Sequence, residues 1–330
     1  MFRQSVMFQK PQHALLHQLG FTYVDMHNHS QYSDTTTRIH TIAKRMRKLQ
    51  LAVALTDHNE VMGNITLARE NPDLLVIPGL ELTTKERAHM LMYFYSRSDM
   101  AHFFEKHVKD FRGKNPNFAT AVTLSNLCDH AIDYNAILAP AHPFAIPKMF
   151  SFMSAVQKHG VEQRVLENID AVEVICGANL RHMNMQAVDW AQHMEKGIIG
   201  GSDSHSLSTL GNVVTITHGS TIAEILDAVK KRQTAVVGTE AKLYQRTLPY
   251  AIIASQHLKY VKPIVASGCA SSYISTKKYL VQKMGVEKRA VQRVGLSNGV
   301  KVLADELNKG YPSIRKPVMV QKMSSFFKRR

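Results

Sequence analysis

Through residues 1–240, short apolar runs alternate with longer stretches patterned for helices, and that alternation narrows the chain to very few folds. The strand-like runs are residues 21–26, 51–56, 74–77, 90–95, 136–139, 171–175, 197–201 and 213–217. Helical spacing of apolar residues is clearest over 38–50, 119–134, 180–196 and 221–232, with Thr36 or Thr37 as a plausible N-cap of the first. Near-continuous apolar strands separated by amphipathic helices predict a parallel sheet covered on its outside. Seven or eight such units in a row predict closure into a barrel rather than an open sheet.

In a barrel of that kind, chemistry sits where strands end and loops begin. The first run ends in Asp25-Met26-His27-Asn28-His29-Ser30. Side chains alternate along a strand, so His27 and His29 share a face and can grip one metal ion through ring nitrogens. Later ends carry the same chemistry: Thr56-Asp57-His58-Asn59, Pro78-Gly79-Leu80-Glu81, Pro140-Ala141-His142-Pro143 and Ser202-Asp203-Ser204-His205, with His89 opening a further strand. Randomly scattered surface histidines would have no reason to follow the strand termini.

The stretches DMHNHSQYSD (25–34), LTDHNE (55–60), APAHPF (139–144) and GGSDSH (200–205), with PGLE at 78–81 and the His89-headed strand, resemble the polymerase and histidinol phosphatase (PHP) family over residues 21–240. The resemblance implies a distorted (β/α)7 TIM-like barrel that hydrolyses phosphate esters by a metal-bridged hydroxide at a di- or trinuclear site. Carried over, His27, His29, Glu81 and Asp203 would hold one metal. Glu81 would bridge to a second, completed by His89 and His142, and Asp34, His58 and His205 would hold a third. One departure is Thr35, where many members have glycine after the aspartate. It touches loop geometry, and it leaves the role of Asp34 open.

The donor types support such a set independently. Imidazoles and carboxylates suit manganese, zinc or iron, and the lack of thiolates argues against a structural zinc cluster. Asp203, His205 and Arg181 are the candidate catalytic residues, Arg181 as a phosphate-gripping cation or simply part of a solvated helix face. His89 can be read as an ordinary strand residue, and Asp34 as a helix N-cap. Asp25 and Asp57 are read as groups that orient a histidine rather than as ligands.

The formal net charge is +15, and all of it lies beyond residue 240. Residues 1–240 carry 23 Lys+Arg and 23 Asp+Glu, whereas residues 241–330 carry 18 Lys+Arg against Glu287, Asp305 and Glu306. The composition break divides the chain into a catalytic barrel (1–240) and a basic helical region (241–330), with helical spacing over 249–258, 272–284, 286–294 and 297–307. Lys277, Lys278, Arg289 and Arg293 crowd its polar faces and are the candidates for an anionic partner. That partner is a nucleic acid or an anionic membrane surface, the alternative being a plain helical cap. The cysteines (Cys128, Cys176, Cys269) are odd in number and scattered, the first 20 residues lack a signal-peptide core, and no stretch reaches the roughly 18 apolar residues of a spanning helix. The expectation is a cytoplasmic enzyme acting on a nucleotide, a nucleic-acid end or a small phosphorylated metabolite. A non-catalytic PHP-like metal-binding module within a nucleic-acid assembly is the alternative, and the intact donor set argues for the enzyme.

Overall fold

The computed structural model describes residues 4–145, 150–242 and 245. The helices expected beyond residue 245, with Lys277, Lys278, Arg289 and Arg293, lie outside the described residues. In chain order the elements are β1 (Ser5–Met7), α1 (His13–Gln18), β2 (Thr22–Asn28), α2 (Ile39–Leu49), β3 (Ala52–Leu55), α3 (Met62–Glu70), β4 (Val76–Ile77), β5 (Gly79–Thr83), β6 (His89–Tyr93), α4 (Arg97–His107) and α5 (Leu124–Asp133). Then follow β7 (Ile137–Pro140), α6 (Phe152–His159), α7 (Gln163–Glu167), β8 (Ala171–Cys176), α8 (Arg181–His193), β9 (Gly197–Gly201), β10 (Val213–Thr217), α9 (Ile222–Lys230) and β11 (Ala235–Gly238).

All eight predicted strands are present, and β1, β5 and β11 are additional to them. The four predicted helices are present with shorter ends. α5 starts at Leu124 because the Thr123 hydroxyl accepts from the Asn126 N–H and caps it there. Thr36 and Thr37 do not cap α2. Its N-cap is Arg38, without a side-chain hydrogen bond, and Thr35 Oγ1 accepts from the Thr37 N–H within the preceding loop. α2 buries Ile39, Ile42, Ala43 and Met46, the stripe that a period of 3.6 places on one face.

The expected closed, all-parallel barrel is not what the strands form. They make a six-stranded sheet in the order β1-β11-β10-β2-β3-β4, a three-stranded sheet β5-β6-β7 and a two-stranded pair β8-β9. β2 and β3 are parallel, as are β8 and β9, but β10 runs antiparallel to both its neighbours and β5-β6-β7 is antiparallel throughout. The reason is local in the middle sheet. β5 and β6 are joined by residues 84–88 alone, a connection far too short for a parallel crossover. Single bridges, Asn28 to Ser204 and His58 to Glu81, span the gaps between sheets at the ends of β2 and β3.

The three sheets nevertheless face one interior. Val24, Met26, Ala54, Ile77, Leu91, Tyr93, Ala139 and Ile199, drawn from strands of all three, form one buried cluster. A second cluster packs α4, α5, α6 and α8 outside β6, β7 and β8, and a third packs α2 and α3 outside β2 and β3. Strands buried on both faces explain the near-continuous apolar runs.

Candidate metal centre

The inner cluster closes the lower part of the interior, and the polar strand ends converge above it. β2 delivers His27 and leads into His29. The ladder between β2 and β3 slips by one residue between Asp25 and Asn28, an irregularity that lets both Met26 and His27 reach the interior. β9 brings Asp203 and His205 alongside, and its approach requires glycine. A Cβ on Gly201 would stand 2.2 Å from His27 Cβ and 2.5 Å from the His27 nitrogen.

At the middle of the convergence is Glu81, fully buried on β5. Its Oε2 lies 3.2 Å from His27 Nε2, 3.4 Å from His29 Nε2 and 3.0 Å from His58 Nδ1. Its Oε1 lies 2.9 Å from His89 Nδ1 and 3.2 Å from His142 Nε2. Asp203 Oδ1 is 3.2 Å from His29 Nε2, 3.6 Å from His27 Nε2 and 3.4 Å from His205 Nδ1. Asp34 Oδ2 sits 3.5 Å from His58 Nε2 and 3.3 Å from His205 Nε2. All nine residues that the motifs single out as ligands thus meet in one place. Asp34 is in the cluster and not at a helix N-terminus, and His89 turns its ring to Glu81.

Three groupings bring donor atoms within reach of a single ion: His29, Asp34, His58 and His205; His27, His29 and Glu81; and His58, Glu81 and His89. The hydrogen bonding of the cluster fits a cation better than it fits itself. Both oxygens of Glu81, both ring nitrogens of His89, and Nδ1 of His29, His58 and His142 are buried without a hydrogen-bond partner among the described residues. Five ring nitrogens approach Glu81 and none is aimed at it as a donor. Bonds of about 2.0–2.2 Å to one ion place neighbouring donors about 3–3.6 Å apart, and the separations above span 2.9–3.6 Å. His142 (φ 29°) and Asp203 (φ 47°) also hold left-handed backbone conformations uncommon for non-glycine residues. Such strain gathers at functional sites.

Electrostatics divides the rings. Burial, with His205 and His58 beside it, pushes His29 down to about 4, and burial takes His89 to about 4. For His205, burial is outweighed by the Asp34 and Asp203 carboxylates, which raise it to about 10. Burial alone would raise Glu81, but the rings of His58, His89 and His27 hold it well below the usual carboxylate range. Three buried carboxylates therefore require compensating positive charge, which protons or divalent ions can supply.

Asp25 and Asp57 do not orient histidine rings. Asp25 accepts from the backbone N–H groups of Ser202 and Gly211, both at 2.8 Å, and Asp57 accepts from the Ser30 N–H at 2.6 Å and from the hydroxyls of Ser30 and Ser33. They hold the loops that carry His29 and Asp203, and burial raises their carboxyls to about 7 and about 6. Arg181 is turned to Glu240, with Nε and a terminal nitrogen at 2.7 and 2.9 Å, and its guanidinium lies 4.2 Å from the centroid of Phe8. Beyond the candidate ligands, Glu173 on β8 also meets a ring, its Oε1 2.9 Å from His27 Nδ1. It belongs to none of the motifs. Its one signal is a charge in the middle of the apolar strand AVEVIC.

The family model described as PHP-associated matches residues 181–234. Among solved structures, Endonuclease Q bound to a 27-mer duplex with an abasic lesion at its active site is 20% identical with a TM-score of 0.52, covering 67% of this chain and 60% of that one. The lesion-specific endonuclease PfuEndoQ from Pyrococcus furiosus gives 21% and 0.53, over 66% of this chain and 57% of that one. The chain thus matches a PHP-associated model over residues 181–234 and shares its fold with these endonucleases. It spans about three-fifths of the Endonuclease Q chains. PsfC from Pseudomonas syringae PB-5123 shares the fold at 19% identity and a TM-score of 0.52, over 72% of this chain and 99% of that one. At these identities the likeness is one of fold. No curated protein matches the chain by sequence.

Proposed function

We propose that this PHP-like chain hydrolyses phosphate esters with two or three divalent ions (manganese, zinc or iron) held by His27, His29, Asp34, His58, Glu81, His89, His142, Asp203 and His205. One observation carries the reading. Glu81 presents one oxygen to His27, His29 and His58 and the other to His89 and His142, the arrangement by which a carboxylate joins two ion sites. Ions bound there supply an activated water and neutralise the charge that develops on the phosphoryl oxygens.

The chain's own residues do the rest. Asp203 and His205 are each about a tenth exposed, as are His58, His89 and His142, so an incoming phosphoryl group can reach these five. His205 is held in its ring orientation by Nδ1, 3.1 Å from the carbonyl oxygen of Asp203. Asp25 and Asp57 fix the loops, so the donors need no reorganisation when substrate arrives. The substrate class is a nucleotide, a nucleic-acid end or a small phosphorylated metabolite. The DNA-bound Endonuclease Q structure supports the nucleic-acid members of that set. Among the described residues no helix is long and apolar enough to cross a membrane.

The test is a panel of phosphomonoesters, nucleotides, nucleoside 3′,5′-bisphosphates and short RNA and DNA, assayed with added manganese. Chelation is expected to abolish turnover, and manganese, zinc or iron to restore it. Full activity in metal-stripped protein refutes the proposal.

A further inference from the structure

β8 was expected to be an ordinary buried strand. Strict alternation would place Val172, Val174 and Cys176 on one face and Glu173 and Ile175 on the other. The ladder to β9 breaks that pattern. Glu173 pairs with Ile199 and Ile175 with Gly200, so Val174 is an inserted residue. A bulge of this kind re-aims the side chains that follow it. Val172, Val174 and Ile175 accordingly all join the outer apolar cluster, while Glu173 and Cys176 both turn inward.

Inside, Glu173 is 1% exposed and meets two candidate ligands at once. Oε1 lies 2.9 Å from His27 Nδ1, and Oε2 accepts from the His142 backbone N–H at 2.6 Å. The two groups belong to different sheets, His27 to β2 and His142 to the loop after β7. A carboxylate can only accept, so a proton shared with His27 belongs on Nδ1, which leaves Nε2 to face Glu81 and Asp203. The second bond holds His142 in its left-handed conformation, φ 29°.

We infer that Glu173 is the positioning residue of the metal centre: through one carboxylate it sets the proton position of the His27 ring and locks the backbone of His142. The inference rests on the metal-centre reading above. Carboxylate–histidine partnerships of this kind raise the basicity of the ring and fix its orientation, and their loss costs about 10–100-fold in metal affinity.

The experiment has two readouts. Zinc affinity is measured by chelator competition on the full chain as wild type, Glu173→Gln and Glu173→Ala, with circular dichroism to verify folding. The variants are expected to bind about 10–100-fold more weakly. Glutamine offers one acceptor in place of two and can satisfy only one of the two N–H groups. Separately, ¹⁵N-histidine spectra of the metal-free protein, with His27 assigned by its loss in His27→Gln, read the ring directly. At a pH where the ring is neutral, Nδ1 rather than Nε2 is expected to carry the proton in the wild type, and that preference is expected to be lost in Glu173→Ala. A folded Glu173→Gln variant with wild-type zinc affinity overturns the inference, and so does a bare Nδ1 in the wild type. The wild-type spectrum needs no metal. A wild type that binds no zinc but keeps Nδ1 protonated therefore counts against the metal centre and not against the role of Glu173.

Discussion

Asp203 illustrates how much one residue is asked to do. It lies within 3.6 Å of three ring nitrogens, from His27, His29 and His205, and holds a positive φ of 47°. Asparagine tolerates that backbone region better than most residues, so Asp203→Asn removes charge while adding little strain. The variant is expected to lose bound metal and at least about 10²-fold in kcat with the fold intact. Wild-type kcat with unchanged metal content would show the site to be elsewhere. Asp34→Ala is expected to cost less, because Asp34 Oδ2 approaches two rings, His58 and His205, where Asp203 Oδ1 approaches three. Metal analysis alongside steady-state kinetics separates the two variants.

The elements owe their placement to close contacts that tolerate little change. β9 can approach β2 only because position 201 has no Cβ. Gly201→Ala must displace His27 backbone rather than the end of a flexible side chain. Overpacking of this kind costs about 1–3 kcal/mol, and here it also shifts a ligand. The expected result is a lower midpoint of thermal unfolding together with weaker metal retention. α9 shows the opposite case, an element secured by its own sequence. The Thr221 hydroxyl accepts from the Glu224 N–H, and the Glu224 carboxylate accepts from the backbone N–H groups of Ser220 and Thr221. The Ser220 N–H, then its hydroxyl, hold Glu224 below its ordinary value of 4.5. A carboxyl lowered on folding contributes stability above its unfolded pKa and loses it as pH falls through the folded one. The stability difference between wild type and Glu224→Gln should therefore be full at neutral pH and vanish as the medium is acidified below about pH 4. A difference that persists unchanged into acid would rule out the carboxylate as its source.

For the molecule as a whole, the decisive feature is the separation of charge: a neutral segment to residue 240 and an excess of +15 after it. Residues 241–330 carry the charge for a phosphate-binding surface. Each phosphate neutralised on duplex DNA lowers log K by about 0.9 per decade of salt, and on single strands by about 0.7. Five such contacts would weaken binding by about two to three decades between roughly 20 and 100 mM salt. Replacing Lys277, Lys278, Arg289 and Arg293 together by glutamate should flatten that slope and leave hydrolysis of a small chromogenic ester unchanged. Binding measured in parallel on RNA, DNA and anionic vesicles distinguishes the nucleic-acid partner from the membrane one. If none of the three shows salt-sensitive binding, the basic region has no anionic partner.

The sequence alone determined which donors exist and that they stand at strand ends, because that information is local; their grouping came from the resemblance to the PHP family. A histidine or carboxylate at the end of an apolar run sits at a strand end whatever the sheet does, and alternation pairs His27 with His29. The same locality made the eight inner strands and the amphipathic faces of α2 and α9 readable. The tertiary structure decided the rest. The short 84–88 connection makes β5 and β6 antiparallel locally, but whether the sheets close and where β10 pairs depend on contacts between distant segments, which leave no signature in periodicity. The bulge at Val174 exists only in register with β9. Glu173 and His27 are 146 residues apart, and no spacing rule joins a carboxylate inside one apolar strand to a ring at the end of another. Asp25 and Asp57 show the converse. Their nearness in sequence to His27 and His58 suggested ring partners, but the register slip after Asp25 turns it away from His27, and both carboxylates accept from loop amides and hydroxyls instead.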